Sequence, residues 1–401
     1  MELYIGDTCW DAESTFEFEK LSADIKTGIL IVGGGITGAL SAFVLSDLGM
    51  SVTVVEKNEI GSGSSAAQTG LLMYKSDKML YEFVDDIGEE KAVQFYRMCL
   101  EAMDHLSLIN SQLDETTEFR QRDSIYYAST VEDGDKLRRE YGYLSKYGFP
   151  VEYLGSEELK KIYGIDKSCA LRTWHDADVN TLKFIQALTK KNLEKGVLYY
   201  EHSEIDLENI QGNNAYTKDG SVITFDHLVL ATGYSRIYPA IKDKCSITRT
   251  YAFCSEPVFD KLWKDEVMVW ETRNPYLYFR ATVDHRIVGG GMDEEIEGLE
   301  KDEKKSRAKA EAIAHEIGAV LPHLDIKVSH AWNAIFAKSK DGIPFIGQDP
   351  FNSSIYYLLG YEGNGTCYSM AGALIIKDLI LGNYNLYRDI VKVDRKSGRN
   401  G

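Results

Sequence analysis

The 401-residue sequence predicts an α/β fold, α+β overall, in which a parallel-sheet domain is interleaved with an antiparallel-sheet domain. Three observations carry this. The apolar run Ile29–Val32 ends in glycine and is followed by helical spacing. A second such run, F-D-H-L-V-L-A-T-G at 225–233, returns far downstream. From Ile247 to Gly291 the pattern changes to short aromatic stretches of alternating polarity: I-T-R-T-Y-A-F, V-M-V-W, Y-L-Y-F-R and R-I-V-G-G-G. Runs buried on both faces belong to parallel sheets, whereas alternation belongs to antiparallel ones.

Residues 1–27 carry Tyr4, Trp10, Phe16 and Phe18 among acids, and are expected to form an arm on the surface of the body. After the first strand, Gly33, Gly35 and Gly38 fit G-x-G-x-x-G. The first glycine permits a tight turn, the second lets backbone approach a pyrophosphate, and the third lets the helix pack on the strand. Ile36, Leu40, Phe43, Val44 and Leu48 then recur at helical spacing, with Gly49 as C-cap. That helix offers its free N–H groups and positive dipole end to phosphate. Ser51–Glu56 is the second strand, and Glu56 ends it 23 residues after Gly33, where a carboxylate accepts from a ribose diol. Glu56 disfavours a 2′-phosphate, a preference that the neighbouring Lys57 weakens. The motif specifies a dinucleotide and leaves open which one.

Further along, 77–115 is helical in pattern, 124–129 reads as a strand, and 137–147 and 156–163 read as helices. Asn180 caps an amphipathic helix carrying Leu182, Ile185, Leu188 and Leu193, which Gly196 ends. Strands follow at 197–200 and 222–231, a charged helix at 300–320, a strand at 355–359, a glycine loop at 360–366 and a helix to about Leu381. The tail from Arg395 is expected to be disordered. These elements divide into an arm (1–27), a discontinuous dinucleotide domain (28–75, 180–240 and 340–385), a substrate domain (76–179 and 241–339) and a tail (386–401).

A formal net charge of −17 argues against nucleic acid, or an anionic membrane surface, as the main partner. The six cysteines are scattered without a C-x-x-C, so no metal site is expected and free thiols in a reducing compartment are. The acidic N-terminus lacks a signal pattern, and no apolar run approaches the roughly 20 residues of a transmembrane helix, so a cytoplasmic protein is expected.

On I-V-G-G-G-I-T-G, V-V-E-K, G-S-G-S-S-A-A-Q-T-G (61–70), A-T-G-Y (231–234), S-K-D-G-I-P-F-I-G (339–347) and G-Y-E-G-N-G-T (360–366), the chain resembles the FAD-dependent amine and D-amino-acid oxidase family. Glycine oxidase, sarcosine oxidase and γ-glutamylputrescine oxidase-like enzymes belong to it. The resemblance spans about residues 26–385, and its motifs specify the family, not a substrate. It implies a Rossmann-like FAD-binding domain and FAD, not NAD, as the dinucleotide. By that implication Gly33, Gly35, Ile36, Thr37, Gly38, Glu56 and Lys57 form the first contacts. Ser64 and Ser65 sit near the pyrophosphate, and Gln68, Thr69 and Gly70 beside the isoalloxazine. Ile205 places its backbone at the adenine, and Gly233 lets the chain pass close to the dinucleotide. Gly363, Asn364, Gly365 and Thr366 bring N–H groups and a helix N-terminus to flavin N1/O2, where charge collects on reduction. The cysteine that holds flavin covalently in sarcosine oxidases would fall near Ala334, and no histidine occurs in 61–70, so FAD is expected to be noncovalent.

In amino-acid-specific members an arginine five residues before the D-G-x-P aspartate grips the substrate carboxylate. Counting back from Asp341 gives Phe336. The substrate is then either an amine without that carboxylate or one held by another cation. Arg280, Arg273, Lys338 and Lys340 are the candidates. Tyr276, Tyr278 and Arg280 share one face of a strand by alternation, which suggests an aromatic wall with one cation; Tyr74 and Lys75 are further candidates.

The expected reaction is oxidation of the C–N bond of an amine or amino acid. Hydride passes to flavin N5, the resulting imine hydrolyses, and O2 or an electron carrier reoxidises the cofactor. A hydroxy-acid or polyol-phosphate dehydrogenase on the same scaffold is the alternative. A flavin-stabilised binding or assembly protein is the non-enzymatic one. No catalytic acid or base and no metal ligand stands out, and the oligomeric state is not specified.

Overall fold

The computed structural model describes residues 2–10, 16–259, 262–295 and 298–396. Two sheets organise them. The first runs in the order Phe345–Gln348, Ile355–Leu359, Val222–Leu230, Ile25–Val32, Val52–Val55, Leu198–Tyr200. Ile25–Val32 lies at its centre, parallel to Val52–Val55 on one side and Val222–Leu230 on the other. Ile29, Leu30 and Ile31 are fully buried, as a strand covered on both faces requires. The helices Ile36–Leu45, Thr181–Glu194 and Gly365–Ile380 cover one face. The chain passes from the central strand to Val52–Val55 on one side, while on its other side Val222–Leu230 is followed outward by Ile355–Leu359, so a crevice opens at the carboxyl end, where the glycines stand.

The second sheet has ten strands, from the arm strand Tyr4–Gly6 through Val328–Ser339, Cys245–Ser255, Ile287–Glu294, Leu277–Ala281, Met268–Glu271, Arg120–Tyr127 and Cys169–Asp178 to Leu71–Leu72; Val151–Gly155 adds to Cys169–Asp178. Its outer face packs against the helix Glu303–Val320, through Ala310, Ile313 and Ile317. Its inner face lies over the loop 61–70: Trp332 Nε1 donates to the Ala67 carbonyl at 3.0 Å.

Four expectations need correction. The arm is not a surface appendage, because Tyr4–Gly6 pairs with Val328–Ser339 and Trp10 is buried; its residues 11–15 lie outside the described residues. The block from 247 to 291 is not uniformly antiparallel, since Met268–Glu271 runs parallel to Arg120–Tyr127. Arg395 is anchored: its guanidinium grips Asp341 at 2.9 Å through both carboxylate oxygens and also donates to the Pro344 carbonyl. The five residues 397–401 lie outside the described residues. Finally, Leu71–Leu72 belongs by pairing to the second sheet.

Candidate active site

The crevice at the end of the central strand is a cleft of about 740 Å³. Gly33 has φ +115°, and a Cβ there would stand 2.3 Å from the Ala231 carbonyl, so the turn admits only glycine. Gly38 does not face the cleft; a Cβ on it would meet the Gly33 carbonyl at 1.9 Å, so it sets how closely the helix approaches the strand. Gly35, Ile36 and Thr37 line the cleft. The Thr37 hydroxyl contacts that of Ser369 at 2.8 Å and ties this helix to Gly365–Ile380. Glu56 accepts from the N–H of Gly34 at 2.8 Å and of Asn58 at 2.9 Å, which orients its carboxylate on the cleft wall beside Lys57. Ile205 and Gly233 line the far end.

The loop 61–70 forms the floor. Ser65 Oγ accepts from the Ile36 N–H at 3.0 Å, and a Cβ on Gly35 would be 2.9 Å from that oxygen. The buried Ser64 hydroxyl has no partner among the described residues. Ser64, Gln68, Tyr234 and Gly365 line both this cleft and a second cavity of about 160 Å³. There Thr69 and Gly70 meet Gly363 and Asn364. Thr366 is set back, donating to Gln68 Oε1 at 3.0 Å and so tying the glycine loop to the floor.

Tyr276 and Tyr278, half-buried and with ring centroids 5.9 Å apart, face the second cavity. Arg280 does not. It is 3% exposed, and its guanidinium donates to the carbonyls of Thr69 at 2.7 Å and Val179 at 2.9 Å, beside Asp178 at 3.6 Å. Its charge holds the floor loop. Tyr74 is likewise withdrawn, buried against Phe149 with its hydroxyl donating to the Pro150 carbonyl at 3.1 Å. Arg273 pairs with Glu271 and Glu316, and Lys340 is exposed. Lys338 sits at the rim with Nζ 3.0 Å from Asp293 Oδ2. Lys75 is buried behind the wall, its Nζ 4.3 Å and 5.1 Å from the ring centroids of Tyr126 and Trp270. Burial pushes its ammonium down to about 8.

Sequence reasoning missed the acids of this cavity. Asp77, Asp293 and Glu362 all line it, together with Trp270 and Phe336. Asp77 Oδ2 accepts from the Gly363 N–H at 3.2 Å. Glu362 has φ +75°, in the left-handed region that favours glycine, and accepts from the Ser339 N–H. Burial, then the charge of Asp77, pushes its carboxyl up to about 7. A signal existed: Glu362 is the one charged residue in G-Y-E-G-N-G-T. Asp293 and Asp77 carried none, because only the meeting of segments distant in the chain brings them to one cavity.

Among the described residues no group of side chains could hold a metal ion, and no helix is long and apolar enough to cross a membrane. All six cysteines are free. A family model described as FAD dependent oxidoreductase (DAO) matches residues 28–379. Over 400 residues, 97% of this chain and 75% of the relative, the sequence is 23% identical to a putative Rieske 2Fe-2S iron-sulfur protein, YhfW, of Bacillus subtilis. It is 22% identical to a glycine oxidase of Geobacillus kaustophilus, over 91% of this chain and 98% of that one. The crystal structure of L-proline dehydrogenase from P. horikoshii superposes with a TM-score of 0.77 at 20% identity, covering 93% of this chain and 98% of that one.

Proposed function

We propose that this chain, which belongs to the DAO family of FAD dependent oxidoreductases, oxidises the C–N bond of a small amine that bears no carboxylate next to the reacting carbon. The residues fit the family's cofactor. The unpartnered Ser64 hydroxyl, the cleft beside Gly33 and Gly35, and the Glu56 carboxylate supply the donors, close approach and acceptor that a dinucleotide needs. In this reading Gly363, Asn364, Gly365 and Thr366 would lie beside its flavin end. When bound, FAD accepts the two electrons and the hydrogen that the substrate loses.

The single observation that carries the choice of substrate is the charge of the second cavity. Three carboxylates, Asp77, Asp293 and Glu362, line it, while Lys338 is paired and Arg280 is turned away. A substrate carboxylate or phosphate would meet repulsion there. An ammonium meets attraction, with aromatic faces from Trp270, Tyr276 and Tyr278 that suit a cation. An amine must lose its ammonium proton before its α-carbon can lose a hydride. Glu362, poised near neutrality, is the group suited to take that proton. The product imine then hydrolyses to a carbonyl compound. Electrons leave to O2 or to a carrier.

Anaerobic mixing of the purified yellow protein with a panel of amines, amino acids and hydroxy acids tests this. Bleaching by simple amines is expected. Bleaching only by α-amino acids, or only by hydroxy acids or polyol phosphates, would overturn it.

A further inference from the structure

The family match begins at residue 28 and leaves the arm outside it, yet Leu3, Tyr4, Ile5 and Gly6 line the dinucleotide cleft. We propose that residues 2–10 are part of the cofactor site, a β-strand strap that closes the cleft over bound FAD and slows its release. The proposal rests on the FAD-dependent character of the family and adds a set of binding residues to it.

The strap is fastened to different parts of the body. Tyr4, Ile5 and Gly6 pair antiparallel with Ala334, Asn333 and Trp332, and the Ile335 N–H donates to the Leu3 carbonyl at 3.0 Å. These pairings fill the open edge of Val328–Ser339, the strand that also lines the substrate cavity through Ala334 and Phe336. At the other end Trp10 Nε1 donates to the Gln68 carbonyl at 2.7 Å, on the floor loop itself. Trp10 is buried there with Ala67, Ala252 and Trp332. At the outer end of the paired strand, the Leu3 side chain lies against Gly63, where a Cβ would be 3.5 Å from Leu3 Cδ1.

The sequence of the strap is fitted to this path. Gly6 has φ +108°, and a Cβ on it would stand 2.3 Å from the Ala331 carbonyl. Any side chain at position 6 therefore lifts the strand from its partner. A ligand enclosed by an edge strand leaves only when that strand detaches, so the strap acts on the dissociation rate. With FAD expected to be noncovalent, such a closure is a physical route to retaining it.

The test compares holoenzyme of the full chain with three variants: one lacking residues 1–10, Gly6→Val and Trp10→Phe. FAD release is read from the recovery of flavin fluorescence after dilution, and affinity from titration of the apoprotein. The truncation and Gly6→Val are expected to speed release at least tenfold, and Trp10→Phe several-fold, at unchanged far-ultraviolet circular dichroism. Should the truncation fail to fold, the two point variants decide. Wild-type release rates in Gly6→Val and Trp10→Phe would overturn the strap. A full-length protein that binds no FAD would instead overturn the cofactor assignment on which it rests.

Discussion

Lys338 Nζ lies 3.0 Å from Asp293 Oδ2, so the cation at the rim of the substrate cavity is held by an acid that lines it. Asp77 and Glu362 face the same cavity, with the Lys75 ammonium buried behind its Trp270 wall, and the proposed preference for an amine rests on this acidic lining.

Replacing Asp293 by Asn releases Lys338 and removes one negative charge. KM for an amine substrate should rise about tenfold, a loss of about 1.4 kcal/mol, with kcat changed less. A carboxylated amine should gain relative to it. Steady-state kinetics on matched amine and amino-acid pairs checks this; unchanged discrimination would remove the acids from substrate selection.

Glu362 titrates at about 7 because burial and Asp77 disfavour its charge. kcat/KM for an amine should therefore rise with pH through an inflection near 7, and Glu362→Gln should abolish that limb while leaving the one set by the amine itself. The linkage to stability has the opposite slope. The folded state holds this proton more tightly than the unfolded chain, whose carboxyl titrates at about 4.3. Its contribution to stability thus falls as pH rises from that value to about 7. Glu362→Gln should flatten a urea-unfolding series across this window.

Arg280→Ala should act on stability and not on substrate affinity. It strips the carbonyls of Thr69 and Val179 of their donor, at a cost of about 2–4 kcal/mol. Asp178 keeps Arg120, at 2.6 Å. Urea denaturation should report the loss, and FAD retention should fall because the floor loop loosens. A raised KM with unchanged stability would contradict the structural role.

Arg395→Ala leaves Asp341 buried and unpaired, and should destabilise the fold by about 3–5 kcal/mol. Burial alone would raise the Asp341 carboxyl, but the Arg395 guanidinium overrides it and holds the group below the usual carboxylate range. Because the folded value is depressed, this stabilisation is present above the unfolded value and is lost as pH falls through the folded one. Acid unfolding of the wild type should therefore be steeper than that of the variant.

The elements legible in the sequence are those whose pattern is local. The helix Ser156–Tyr163 and the strand Ile355–Leu359 have the expected ends, and Asn180 caps its helix by accepting from the Lys183 N–H at 3.2 Å. Strands whose apolar face is built late were not legible. Val328–Ser339 interrupts its alternation with Ala, Asn and His, and Cys169–Asp178 buries Asp176 and Asp178 under donors from other strands.

Gly33, Gly38 and Glu56 are determined by the sequence alone, because a turn without room for Cβ and a carboxylate closing a strand are decided within one βαβ unit. The ordered motifs that extend to residue 366 identify the family for the same reason: each is a short, local stretch of the chain. What the tertiary structure decided is where charge goes. Arginine at 280 reads as a substrate cation until strands far apart in the chain supply the carbonyls and the aspartate that claim it. Asp77, Asp293 and Glu362, separated by more than 280 positions between first and last, become one acidic cavity only once the two sheets meet. The arm at residues 2–10 becomes part of the cofactor cleft only because the edge of Val328–Ser339 is there to receive it. A local motif specifies its own geometry, but the electrostatics of a cavity belongs to all the groups that face it.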